Sequence, residues 1–107
     1  NEGHRIRNVF EFTMTHFNGE VTLEKVATVA KMTKNAFCKY FKKRTNKTYF
    51  QFLSELRIEH ASKLLLSETN YSISNVAFES GFKNISNFNR QFKVLKKCSP
   101  SKFKSDN

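Results

Sequence analysis

The chain has 107 residues, 38% of them hydrophobic and 12 of them Phe, which is enough for packed cores and argues against disorder. Its 19 Lys+Arg against 9 Asp+Glu leave a formal net charge of +10. Self-repulsion on that scale opposes folding and points to a polyanionic partner. With no Trp, 3 Gly and 1 Pro, the composition favours helices over hairpins. No apolar run approaches the roughly 18–20 residues a membrane helix needs. The charged start, NEGHRIRNVFEF, has no signal-peptide pattern, so a cytoplasmic location is expected. Because the chain begins without Met, it reads as a piece of something longer.

Cys38 and Cys98 have neither CxxC nor Cys/His ligand spacing, and His4, His16 and His60 share none. No metal or cofactor is expected. No Ser/His/Asp or Cys/His/Asn set stands out, so the chain is not expected to be an enzyme.

The first segment, residues 1–19, holds a helix over 5–17 with Ile6, Val9, Phe10 and Phe17 at helical intervals and Met14 or Thr13 between them. Asn18-Gly19 stops it. Residues 20–47 form a first helix-turn-helix unit. Thr22 caps the helix TLEKVATVAK, with Glu24 in its first turn and Leu23, Val26, Ala27 and Ala30 on its apolar side. Lys31-Met32-Thr33 is the turn. Thr33 caps KNAFCKYFKKR, where Phe37 and Phe41 stand at i, i+4, with Asn35, Cys38, Lys39 and Lys42 on the other side.

Residues 48–70 make a linker, a helix from about Tyr49 to Leu66 and a loop over 67–70. Phe52, Leu53, Leu56, Ala61, Leu64 and Leu65 give the helix an apolar side, while Arg57, Glu59 and Lys63 take the wet side. Arg57 lies close enough to the stripe to be a buried pair partner instead. About 18 residues of helix span roughly 27 Å. With packing at each end, that approaches the roughly 34 Å between successive major grooves on one face of DNA.

Residues 71–107 form the second unit. Ser72 or Ser74 caps a short helix with Ile73, Val76 and Ala77 on its apolar side, and Gly81 supplies the positive φ at its end. Asn84 or Ser86 caps the next helix, where Phe88 and Phe92 are the buried stripe and Ser86, Asn87, Asn89, Arg90 and Lys93 face out. That helix breaks near Cys98-Ser99-Pro100. A last short turn follows, with Pro100 at its first position and Phe103 folding back, and KSDN is a frayed tail.

The two units repeat. Val26-Ala27 corresponds to Val76-Ala77, and Phe37, Lys39, Phe41 and Lys42 match Phe88, Arg90, Phe92 and Lys93 at a constant offset of 51. A duplicated helix-turn-helix is far stronger than one copy, which could be any helical corner.

The second unit, Ile73, Val76-Ala77, Gly81-Phe82, Phe88, Arg90, Phe92-Lys93, Ser99-Pro100-Ser101 and Phe103, resembles the signature of the AraC/XylS transcriptional regulators. The first unit (Leu23, Ala27, Met32-Thr33, Phe37, Phe41-Lys42) and the linker (Phe52-Leu53, Arg57, Ala61, Leu64-Leu65) fit the other half, over about residues 20–104. The resemblance implies an all-α fold of about seven helices, with two helix-turn-helix units joined by a long linker helix. It implies binding of asymmetric double-stranded DNA sites and recruitment of RNA polymerase, usually for activation. It also implies an effector-binding or dimerisation domain on a missing N-terminal part. Two positions depart from the pattern. Lys31 stands where the first turn usually has Gly, implying a different turn geometry or a weaker first-unit contact. Lys97 replaces the Gly before the Ser-Pro tail, which leaves the end of the last long helix open.

Ser86, Asn87, Asn89 and Arg90 match the family's base-contact positions. Arg bonds guanine with two donors and Asn pairs with adenine, so these types suit major-groove readout. Ile85 either packs on a thymine methyl or staples the helix start. In the first reading helix the matching positions are Asn35, Cys38 and Lys39, with Lys39 aligned to Arg90. Lys34, Lys42, Lys43, Arg44, Lys83, Lys93 and Lys96 are phosphate-contact candidates. The plain alternative for all of them is a solvated face. The competing functions are an RNA-binding or non-specific nucleic-acid module, a nucleic-acid-modifying enzyme, and a protein-interaction adaptor. A shape-reading RNA binder would not need a duplicated unit with matched spacing.

Overall fold

Every helix after the first begins where the sequence supplies an oxygen to hold the first free backbone N–H groups. The computed structural model describes residues 2–67 and 70–107, and every regular element among them is an α-helix. In order they are α1 (Glu2–His16), α2 (Leu23–Val29), α3 (Lys34–Thr45), α4 (Tyr49–Leu66), α5 (Ile73–Glu79), α6 (Ile85–Lys96) and α7 (Pro100–Ser105). Thr22, Thr33, Ser72, Asn84 and Ser99 each accept a backbone N–H three residues on, so the choices left open between Ser72 and Ser74, and between Asn84 and Ser86, fall to the first of each pair. At α4, Thr48 Oγ1 accepts from Gln51 N at 3.1 Å and Gln51 Oε1 accepts from Thr48 N at 2.8 Å, a reciprocal capping box.

The chain divides into two compact units, Asn1–Leu53 and Ser54–Asn107. In the N-terminal unit, Val9, Val26, Phe37 and Phe41 are completely buried, with Ala27, Ala30, Tyr49 and Leu53 around them. Tyr49 stands edge-on to Phe37 and Phe41 at centroid distances of 5.5 and 5.3 Å. Its hydroxyl lies 2.6 Å from Thr13 Oγ1, and the Thr13 hydroxyl donates to Val9 O at 2.8 Å. Tyr49 is therefore the donor to Thr13, and the buried phenol is satisfied. Of the two alternatives in α1, Thr13 faces the core, while Met14 is 57% exposed.

The C-terminal unit is built on the same plan. Ile58, Ala61 and Leu65 of α4 pack with Val76, Ala77, Phe82, Phe88 and Phe92, and Phe103 of α7 packs edge-on against Phe92 at 5.4 Å. Here α4 does what α1 does in the first unit: Ile58 stands 49 residues after Val9, and buried Ser62 stands 49 after buried Thr13. At the other end, α7 repeats the start of α4, since Thr48, Gln51 and Phe52 recur 51 residues later as Ser99, Lys102 and Phe103. The repeat is thus of four helical segments, two more than the helix-turn-helix pattern in the sequence.

Several sequence expectations shift. In α4, Ile58 is 1% exposed whereas Leu56 is only half-buried, because Ile58 stands three and seven residues before the buried Ala61 and Leu65, on the same stripe of the helix. Arg57 is half-buried with its guanidinium 5.9 Å from the centre of the Phe82 ring. At the tail, α7 runs to Ser105, Asp106 N bonds Lys102 O, and Asn107 Nδ2 bonds Phe103 O at 2.7 Å. Part of the loop expected over 67–70 lies outside the described residues.

The Lys31 departure leaves the turn unchanged. Lys31 has φ 59° and Gly81 φ 100°, both left-handed. Lys31 N bonds Thr28 O and Met32 N bonds Ala27 O, as Gly81 N bonds Phe78 O and Phe82 N bonds Ala77 O. Both turns end their helices with the same pair of bonds. Lys97 likewise takes the left-handed position, φ 66°, and ends α6 at Lys96 as Asn46, φ 65°, ends α3.

Candidate nucleic-acid interface

The two second helices, α3 and α6, are each fixed by an N-cap and two Phe side chains one turn apart. Phe37 and Phe41 in α3, and Phe88 and Phe92 in α6, are 0% exposed, so the opposite side of each helix is held outward. On α6 that side presents Ser86, Asn89, Arg90 and Lys93, all exposed. On α3 it presents Asn35, Cys38, Lys39, Lys42 and Lys43, also all exposed. Cys38 is a free thiol. Each face therefore combines small polar groups with cations and carries no acid, the chemistry that suits a groove floor between two rows of phosphates.

The remaining expected site residues have other engagements. Ile85 is half-buried and packs on the C-terminal core, which supports the stapling alternative for its side chain. Asn87 is half-buried and accepts a 2.8 Å hydrogen bond from Arg90 Nη2. Lys34 lies 3.7 Å from Glu24, with both side chains more than half exposed, an ion pair weak enough to open for a phosphate. Lys42 Nζ reaches Asn46 O at 3.4 Å at the end of its own helix. Arg44 lies 5.8 Å from the centre of the Tyr40 ring, and Arg5 of α1 lies 5.9 Å from it. Lys83 is exposed in the turn before α6. Lys96 is engaged within the protein: it bonds Glu59 at 3.0 Å and its side chain is only 25% exposed.

Two acids, Glu24 and Glu59, thus enter the site's electrostatics unforeseen from sequence. Glu59 is 37 residues from Lys96 and Glu24 is 10 from Lys34, so neither pair has a helical spacing that could reveal it. Among the described residues, no group of three or more His, Cys, Asp or Glu is placed to hold a metal. Among them, too, no helix is long and apolar enough to cross a membrane.

Known proteins share this family and fold. The family described as a helix-turn-helix domain matches residues 26–106. The HTH-type transcriptional regulator YdeC of Bacillus subtilis is 27% identical over 106 residues, which is 99% of this chain but 36% of that protein. This chain therefore spans about a third of that relative's length. A probable AraC family transcriptional regulator from Rhodopseudomonas palustris superposes with a TM-score of 0.88 at 22% identity, covering 96% of each chain. The DNA-binding domain of AdpA, a global transcriptional factor solved with a target DNA, superposes with a TM-score of 0.83 at 24% identity, covering 92% of this chain and 87% of that one. At these identities the solved structures establish a shared fold.

Proposed function

Because the chain belongs to the AraC-type helix-turn-helix family, we propose that it binds double-stranded DNA sequence-specifically to regulate transcription, reading successive major grooves with α3 and α6. The observation that carries this reading is the pair of outward faces, each free of acids and held rigid by two fully buried Phe. AdpA, which shares the fold, was solved on its target DNA. Ser86, Asn89 and Arg90 on α6, and Asn35, Cys38 and Lys39 on α3, face the bases. Lys34, Lys42, Lys43, Lys83 and Lys93 hold phosphates. Ile85 anchors the start of α6, and the charge of Lys96 is largely spent on Glu59.

The regulator acts in the cytoplasm as an activator that recruits RNA polymerase, and a separate effector-binding or dimerisation domain completes it. The 107 residues form one DNA-binding domain without catalytic activity.

The test is selection of bound duplexes from a random library at near-physiological salt. One asymmetric site with two short blocks about one helical turn apart is the result expected if both helices read bases. A single block would reduce α3 to a backbone grip. Salt-sensitive binding to every duplex without enrichment, or preference for structured RNA in competition, would sink the proposal.

A further inference from the structure

On α6, Arg90 Nη2 donates to Asn87 Oδ1 at 2.8 Å, and the Asn87 backbone N–H is held by Asn84 Oδ1 at 2.8 Å. Asn87 is half-buried, whereas Ser86, Asn89 and Arg90 around it are exposed. Resting on the DNA-reading function above, we infer that Asn87 is a positioning residue: it aims the Arg90 guanidinium instead of reading a base, and so makes α6 the discriminating helix of the two. A guanidinium carries five N–H donors, and guanine O6 and N7 take two parallel ones. Giving one hydrogen of Nη2 to Asn87 leaves an outer edge complete for the base. Arg held in this way loses less rotamer freedom when it docks.

The other helix lacks the device. At the offset of 51, α3 has Ala36 where α6 has Asn87, and Lys39 where α6 has Arg90. A methyl group accepts no hydrogen bond, and an ammonium is a point charge that cannot present a two-pronged edge. Lys39 therefore reaches its groove unbraced, with less power to choose between bases.

The experiment measures relative affinity of the chain for its selected site and for every single-base-pair variant of that site. Asn87→Ala is expected to lower preference at the Arg90 base pair about tenfold, with preferences elsewhere and the unfolding midpoint unchanged. In an Arg90→Lys background, Asn87→Ala is expected to change that preference no further. If the two losses add, Asn87 reads a base itself and the inference is overturned. In α3, Ala36→Asn with Lys39→Arg is expected to gain a guanine preference that Lys39→Arg alone does not reach; equal gains would also overturn it. A wild-type chain that selects no sequence at all would remove the DNA-reading proposal first, and this inference with it.

Discussion

Arg90 and Lys39 stand at the same place in their helices, yet they offer a bound duplex different chemistry. Arg90→Ala is expected to cost about 1–3 kcal/mol on the preferred site and to flatten preference at one base pair, as measured by titration of matched and mismatched duplexes. Equal weakening on specific and random DNA would mean that Arg90 only grips the backbone. Lys93 faces out one turn further along α6. Lys93→Ala is expected to weaken all sequences alike and to make the salt dependence shallower by about one unit, checked by affinity across a salt series. Burial sets a different residue-level test. Ser80 is 0% exposed, and among the described residues its Oγ has no hydrogen-bond partner. The repeat puts Ala30 in the same place, so Ser80→Ala is expected to raise stability by about 1 kcal/mol in urea denaturation. A loss would mean that the hydroxyl is satisfied after all.

At the scale of the element, the helix ends decide where each outward polar face points. Caps were legible where an oxygen needs only the N–H three residues on, as at Thr22 and Thr33. The strained ends were less so. Lys31 and Lys97 occupy left-handed positions that favour Gly. The departure from the family pattern at Lys31 implied a different turn geometry or a weaker first-unit contact, and the turn's bonds are those of the Gly81 turn. The cost falls on stability, since a side chain at such a position loses roughly 1–2 kcal/mol, partly offset by the looser unfolded chain that Gly allows. Lys97→Gly is accordingly expected to stabilise the chain by about 0.5–1 kcal/mol, seen as a higher urea midpoint. No change would mean that α6 ends with equal ease either way.

For the whole molecule, the net charge of +10 is the bias on which all contacts with a polyanion are laid. The aromatic interiors hold that charge in place. Phe88 is completely buried against Phe82 and Phe92, at centroid distances of 5.2 and 5.7 Å. Phe88→Ala is therefore expected to cost about 3–5 kcal/mol in thermal or urea unfolding. A cost below about 1 kcal/mol would mean that the C-terminal core collapses around the gap.

What the sequence by itself determined was the order of the helices, the caps at Thr22 and Thr33, the Phe stripes and the duplicated polar faces. Each of these depends on residues within a turn or two of one another, and periodicity and capping act at that range. Only the tertiary structure decided the rest. It showed that Thr13 receives the Tyr49 hydroxyl across 36 residues, that Ile58 rather than Leu56 enters a core, and that Glu59 occupies Lys96. It also showed that each unit is a repeat of four helical segments, with α1 and the later part of α4 in one role and the start of α4 and α7 in another. Those outcomes depend on which surfaces meet once distant segments are packed, and no local spacing encodes that meeting.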